Sequence, residues 1–349
     1  MANAINNIFW NSTDRRLRAF WRVLLQGCAW LGIQIVVGLF FGTVIFVVAI
    51  VTGWISTQDL LASDGAGFDL MNHPLVRLIL QIVILLTTLS TVWLVGRILD
   101  RRRFVDFGFH LSRRWWMDLG FGLFLGGFLM SVVFLVELAA GWVSVAGFLV
   151  TSPPGGIFPL AILMPLGLFL CVGISEEVFS RGYQIKNLAE GMNGERFGAA
   201  GAILGATVLT SIFFGFLHIA NPNTTWISTL NLMTAGVFLA LGYILTGELA
   251  LPIGLHITWN FFQGNVFGFS VSGLEPVAAR FLEVRQAGPE LLTGGAFGPE
   301  GGLIGVGAML LGCLMIFLWV RITRGKISLA NTLAESPGKK LLSNEVHSV

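Results

Sequence analysis

Polar and apolar positions along this 349-residue chain segregate into long apolar runs joined by short polar stretches. A bilayer core about 30 Å thick takes about 20 apolar residues of helix to cross. On that rule the runs predict eight helical spans, at roughly 24–52, 75–98, 117–142, 157–179, 198–219, 228–247, 251–270 and 303–321. The first run is longer than one crossing needs, so its helix tilts or extends past the bilayer. The expected fold is all-α: a polytopic membrane protein with about eight transmembrane helices, one membrane domain over residues 1–349 and a polar cytoplasmic tail over 327–349.

The distribution of charge orients the bundle, because Lys and Arg in short loops stay on the cytoplasmic side. Arg15, Arg16, Arg18 and Arg22 precede the first span. Arg97, Arg101, Arg102, Arg103, Arg113 and Arg114 follow the second, Arg181, Lys186 and Arg196 the fourth, and Arg321, Arg324 and Lys326 the last. All fall on one side, which places both termini in the cytoplasm. The opposite loops are acidic, with Asp59, Asp64 and Asp69, or uncharged, as between Gly141 and Pro159. The N-terminal arginines lead into an apolar stretch without a small-residue cleavage site, which reads as an uncleaved signal anchor. The glycine-rich loop from Val271 to Gly302 faces outside and caps the bundle.

Composition narrows the function. With 55% hydrophobic and 11% charged residues, against about 25% charged in ordinary globular chains, membrane lipids are the first partner. A net charge of +2 gives no reason to expect nucleic acid. The mixed basic and aromatic stretch from Arg101 to Trp116 reads as a headgroup-level segment. Cys28, Cys171 and Cys313 lie in apolar runs without metal spacing and read as packing residues. Short loops and the lack of appended domains suggest a bacterial plasma (inner) membrane, and nothing in the sequence sets an oligomeric state.

Ionisable residues in or beside membrane segments mark functional sites, and three groups stand out. Glu176 and Glu177 close the fourth span. Residues four apart share a helix face, so Glu177 pairs with Arg181 and Glu176 is left as the unpaired carboxylate, placed to act as a general base. Considered alone, the group also reads as an ion pair at the cytoplasmic surface. His218 ends the fifth span after Phe214, just before the helix-stopping Pro222. His256 and Asn260 share one face of the seventh span and should face a cavity or partner helices, since lipid offers them no hydrogen bonds.

Glu176-Glu177-x-x-x-Arg181, Phe214-x-x-x-His218 and His256-x-x-x-Asn260, in that order on successive apolar segments, resemble the CPBP family, the CAAX proteases and bacteriocin-processing (Abi) intramembrane endopeptidases. The resemblance covers a core at 159–267. It implies that Glu176 and His218 activate water for attack on a peptide carbonyl, that His256 and Asn260 stabilise the oxyanion, and that Glu177 and Arg181 support them. Glu176, His218 and His256 also form a possible ligand set for one catalytic zinc. The absence of an HExxH helix and of a third histidine favours a metal-free site. The substrate is a peptide or membrane protein.

Two other readings compete. A proton-coupled secondary transporter also uses intramembrane acids and histidines, though no paired halves are visible. An immunity or binding protein keeps the fold without hydrolysis. The protease reading carries its own difficulty, because simple topology puts Glu176 near the inner end of one span and His218 near the outer end of the next. Either the fifth helix starts deep in the cytoplasm, or it breaks in mid-membrane at Asn221-Pro222. The active site should then open toward the cytoplasm.

Overall fold

The computed structural model describes residues 8–12, 14–54, 73–152 and 154–337. Asp59, Asp64, Asp69 and the tail after residue 337 lie outside the described residues. A two-residue ribbon, β1 (Trp10–Asn11) with β2 (Arg16–Leu17), leads into α1 (Ala19–Val51). There follow α2 (Pro74–Asp100), α3 (Arg113–Ala139), strand β3 (Val143–Thr151), α4 (Phe158–Met192), α5 (Gly198–Leu217) and α6 (Trp226–Thr246). Helix α7 (Ala250–Phe261) continues through a π turn at Phe262–Val266, and strand β4 (Ala279–Gln286) and α8 (Leu303–Arg324) complete the order.

Among the described residues, seven helices are long and apolar enough to cross a membrane: α1 to α6 and α8. The fold is an all-α polytopic membrane protein. The predicted span at 251–270 is α7, which is shorter than the other seven and is buried along most of its length. It runs parallel to α3, with Gly122 against Leu251, Gly126 against Leu255, and Phe134 stacked on Phe267 at 4.5 Å. It therefore passes through the bundle beside a full-length neighbour. Being shielded from lipid, it has no need of a lipid-matched length.

Glycine permits this contact. A Cβ at Gly122 would sit 2.3 Å from the Leu251 carbonyl oxygen, one at Gly126 2.4 Å from that of Leu255, and one at Gly254 2.5 Å from that of Leu119. The two backbones touch, as in the small-residue interfaces of membrane helices. The entry to α7 is equally tight. Gly247 ends α6 in the left-handed region at φ 73°, and the Leu249 amide donates to the Gly108 carbonyl at 3.0 Å.

Helix α4 departs from expectation in the way that matters most. The predicted end at residue 179 falls inside it, since the chain continues through a π turn at Val178–Ile185 and on to Met192. Arg181 and Lys186, read as loop residues, are buried. The extension is held by Glu190, which accepts from Arg16 at 2.5 Å, Arg22 at 2.7 Å and Arg102 at 2.7 Å, while Arg22 also pairs with Asp100. A buried acid with several guanidinium partners tolerates burial where a single charge would not.

The stretch around Arg101–Trp116 also turns inward in part. Phe107 is buried against Tyr183, with ring centroids 5.5 Å apart, and the buried Trp115 donates its indole N–H to the Gly108 carbonyl at 2.9 Å. At the other end of the bundle, β3 and β4 pair antiparallel from Val143↔Gln286 to Thr151↔Ala279, with a register shift between Val145 and Gly147. This ribbon was not anticipated in an all-helical reading. It is carried partly by the glycine-rich loop, which is ordered around buried Phe297 and Glu300.

Candidate active site

The length of α4 removes the depth problem. Glu176 lies 16 residues before Met192, about 24 Å of helix, and the return along α5 to His218 covers about 30 Å. The two residues thus come within roughly one helical turn of the same level. The fifth helix starts deep at the arginine-rich end.

Glu176, His218, His256 and Asn260 all line one cavity of about 580 Å³. Glu176 is 36% exposed, whereas Glu177 beside it is fully buried. Adjacent helical residues point about 100° apart, so one carboxylate enters the cavity and the other enters the packing between α4 and α7. Glu177 Oε1 accepts from Arg181 Nη1 at 2.9 Å, as its spacing predicts, and from His256 Nδ1 at 2.8 Å. Arg181 Nη2 also donates to the Gly236 carbonyl at 3.2 Å, and its guanidinium lies 4.6 Å from the centre of the Phe214 ring.

Both imidazoles are therefore oriented from behind. His256 gives Nδ1 to Glu177, and its Nε2 stands 4.0 Å from Glu176 Oε2. His218 Nδ1 contacts the Phe214 carbonyl at 2.8 Å. A carbonyl only accepts, so Nδ1 carries the hydrogen and Nε2 of the neutral ring is left as an acceptor. Phe214 touches all three: its ring centroid is 4.8 Å from that of His218 and 6.5 Å from that of His256, under the Arg181 guanidinium.

Residues 158–262 match the family model described as type II CAAX prenyl endopeptidase, Rce1-like. This Rce1-like region holds all three motifs and agrees with the CPBP resemblance read from the sequence. Together with the apolar helices it supports a multi-pass membrane endopeptidase. No curated protein and no solved structure matches the chain.

Outside the Rce1-like region, α2 supplies a wall of the cavity through Arg77, Gln81, Ile84 and Thr88, and the loop after α7 supplies Val271 to Val277. The residues of α2 have no role in the sequence reading, whereas the loop from Val271 is the one expected there to cap the bundle. The spacing of Arg77 and Gln81, four apart near the start of an apolar run, was the available signal. The lining extends toward the ribbon end of the bundle, opposite the arginine-rich end that had been expected to give access.

A catalytic zinc on Glu176, His218 and His256 requires those side chains to stand together. Among the described residues no three His, Cys, Asp or Glu side chains stand where they could hold one metal ion. Glu176, His218 and His256 share the cavity without forming such a group.

Proposed function

We propose that the chain is an intramembrane endopeptidase in which Glu176 and His218 activate water while His256 and Asn260 stabilise the oxyanion. The observation that carries this reading is the commitment of both Nδ1 atoms, one to Glu177 and one to the Phe214 carbonyl, on a cavity that also holds Glu176. The side chains are held from behind, and their remaining polar atoms are available to a substrate.

Peptide hydrolysis needs a base for the attacking water, donors for the developing oxyanion and a proton for the departing amine. Glu176 takes the proton as the water oxygen bonds to the carbonyl carbon. Nε2 of His218 accepts the second hydrogen of that water and orients it. Nε2–H of a protonated His256 and the amide of Asn260 donate to the oxyanion. When the C–N bond breaks, the proton on Glu176 passes to the amine, and the water's second proton, left on the new carboxyl group, follows by way of His218 Nε2, so that the products are a carboxylate and an ammonium. In this reading the arginine-rich end is cytoplasmic and the protein sits in a plasma membrane.

The family description names CAAX prenyl endopeptidases, so peptides ending in a prenylated cysteine motif belong in the test beside unprenylated ones. Purified protein in detergent is expected to cleave at least one set, and to do so in the presence of a chelator. Glu176→Gln should lower kcat by about 10²- to 10⁴-fold with an unchanged unfolding temperature. Wild-type turnover in that variant would remove Glu176 from the mechanism, and chelator-sensitive activity restored by zinc would replace the metal-free scheme.

A further inference from the structure

The loop that follows α7 is held by side chains from outside it. Between residues 271 and 277 every residue except Gly273 lines the cavity, and three amide side chains donate to main-chain carbonyls of this stretch and its two ends. Gln263 Nε2 bonds the Ser270 carbonyl at 2.7 Å, Asn221 Nδ2 that of Ser272 at 2.9 Å, and Asn265 Nδ2 those of Val277 at 3.1 Å and Ala279 at 2.5 Å. A carbonyl only accepts, so these partners fix which way each amide points. The last anchor meets the tightest part of the chain. The Ala279 amide donates to the Val277 carbonyl at 2.8 Å, closing a three-residue turn around Ala278 at φ 65°. Such a turn is rare and strained for a residue with a Cβ, and Asn265 bonds the carbonyls on both sides of it.

All three amides stand just beyond a motif. Asn221 is three residues past His218, and Gln263 and Asn265 belong to the π turn that continues α7 after Asn260. The cavity-lining polar positions on that element are His256, Asn260 and Asn265, spaced four and then five, because a π turn takes one residue more than an α turn. That additional residue brings Asn265, not Gly264, back to the face of His256 and Asn260. Gln263 and Asn265 are both buried, and neither Gln263 Oε1 nor Asn265 Oδ1 has a partner among the described residues. A buried acceptor left unpaired is costly, so packing alone does not account for an amide at either position. What each contributes is its donor to the loop.

Building on the endopeptidase reading, we propose that residues 271–277 form a wall against which the peptide binds, and that Asn221, Gln263 and Asn265 are positioning residues that hold this wall at a fixed distance from His218, His256 and Asn260. Side-chain amides suit the task because they grip main-chain carbonyls and leave the side chains of the loop to the substrate. Leu274 and Glu275, both exposed and both on the cavity, are the groups the wall presents to it.

Two readouts separate position from chemistry. A nitroxide is attached at Glu275→Cys in protein lacking Cys28, Cys171 and Cys313. Asn265→Ala removes the donor together with the unpaired acceptor, and should narrow the electron-spin resonance spectrum while a nitroxide at Ala287→Cys reports no change. Asn221 is half-buried, so Asn221→Ala gives a second loss of anchor without disturbing the core, and Asn221→Gln, which keeps the donor, should retain much of the parental spectrum. Binding is read by fluorescence anisotropy, with Glu176→Gln protein in micelles and dansylated apolar octapeptides with and without a C-terminal prenylated cysteine. The dissociation constant, and KM where wild-type protein cleaves, should rise about ten-fold in Asn265→Ala and Asn221→Ala, a larger factor than any fall in kcat. Spectra unchanged in both variants would show that the amides do not hold the loop. A loosened loop with unchanged affinity, a fall in kcat at constant KM, or no binding by any of these peptides would show that the loop is not the wall the peptide meets. If affinity depends on Asn265 while wild-type protein cleaves nothing, the wall stands and hydrolysis falls. If wild-type protein cleaves with a KM indifferent to both substitutions, the reverse follows.

Discussion

A carboxylate with no solvent exposure needs partners, and Glu177 has Arg181 at 2.9 Å and His256 at 2.8 Å. Removing one member of such a buried set costs about 3–5 kcal/mol in typical cases because the remaining charge is left uncompensated. Here Arg181 keeps the Gly236 carbonyl and the face of Phe214, which softens the loss for the fold but not for His256. Glu177→Gln should therefore lower kcat about 10- to 100-fold, the usual effect of losing the group that orients a working histidine, with KM nearly unchanged. Steady-state kinetics beside a thermal melt separate the two effects. A variant with wild-type kcat would show that Glu177 serves packing alone. The Glu177–Arg181 pair was legible in the sequence because i and i+4 share a helix face, whereas the bond to His256 joins positions 79 apart. Nothing local announces a contact of that kind, so Glu177 read as a partner of arginine only.

Helix α7 carries His256 and Asn260, and its position is set by backbone contact with α3 at Gly122, Gly126 and Gly254. Gly254 lies two residues from His256, so any shift that accommodates a side chain there moves the imidazole from Glu177. Gly254→Leu is expected to lower the unfolding temperature and to remove cleavage together. Gly120→Ala, on the same helix as Gly122 but with nothing within 4 Å of the added carbon, should be neutral or slightly stabilising, since Ala is the better helix former. A Gly254→Leu protein with normal melting and turnover would show that the contact does not set the site. The element scale is also where sequence reading failed. Arg181 and Lys186 follow the apolar run of α4 and read as short-loop charges, but both are buried. Hydropathy counts polarity, and it does not see that neighbouring helices supply partners for polar groups inside a bundle. The π turn at Val178–Ile185 that carries Arg181 is a local widening seen often at functional sites, and no residue pattern marked it. In α7 the apolar run read as a span of about the usual length, with one face toward a cavity or partner helices, whereas its 12-residue helix is enclosed by protein along most of its length.

At the scale of the whole molecule, the two ends of the bundle differ in charge. One gathers Arg16, Arg22 and Arg102 around Glu190, with Arg324 on Asp118 at 2.5 Å. The other carries the β3–β4 ribbon, where Arg280 is paired with Glu283. Because α7 passes through beside α3, the chain completes an even number of passes between α1 and α8. The segment before α1 and the segment after α8 thus meet at one end, where Ser336 Oγ bonds Asp14 Oδ1 at 3.3 Å. That contact would be impossible if α7 turned back halfway. Retention of short-loop arginines on the cytoplasmic side then assigns this end to the cytoplasm and the ribbon to the outside. The assignment is open to a direct test in a background lacking Cys28, Cys171 and Cys313. A cysteine at Ala287, exposed at the base of the ribbon, should react with an impermeant thiol reagent added to intact cells. One at Lys326, exposed just beyond α8, should react only after the membrane is opened. The reverse pattern would invert the protein, and labelling of both in intact cells would break the link between the pass of α7 and the meeting of the two ends. Orientation also decides how a substrate arrives, because the cavity lining runs toward the ribbon end while the arginine-rich end is closed by buried ion pairs. On the proposed endopeptidase reading, with the ribbon outside, a peptide reaches Glu176 from the outer face.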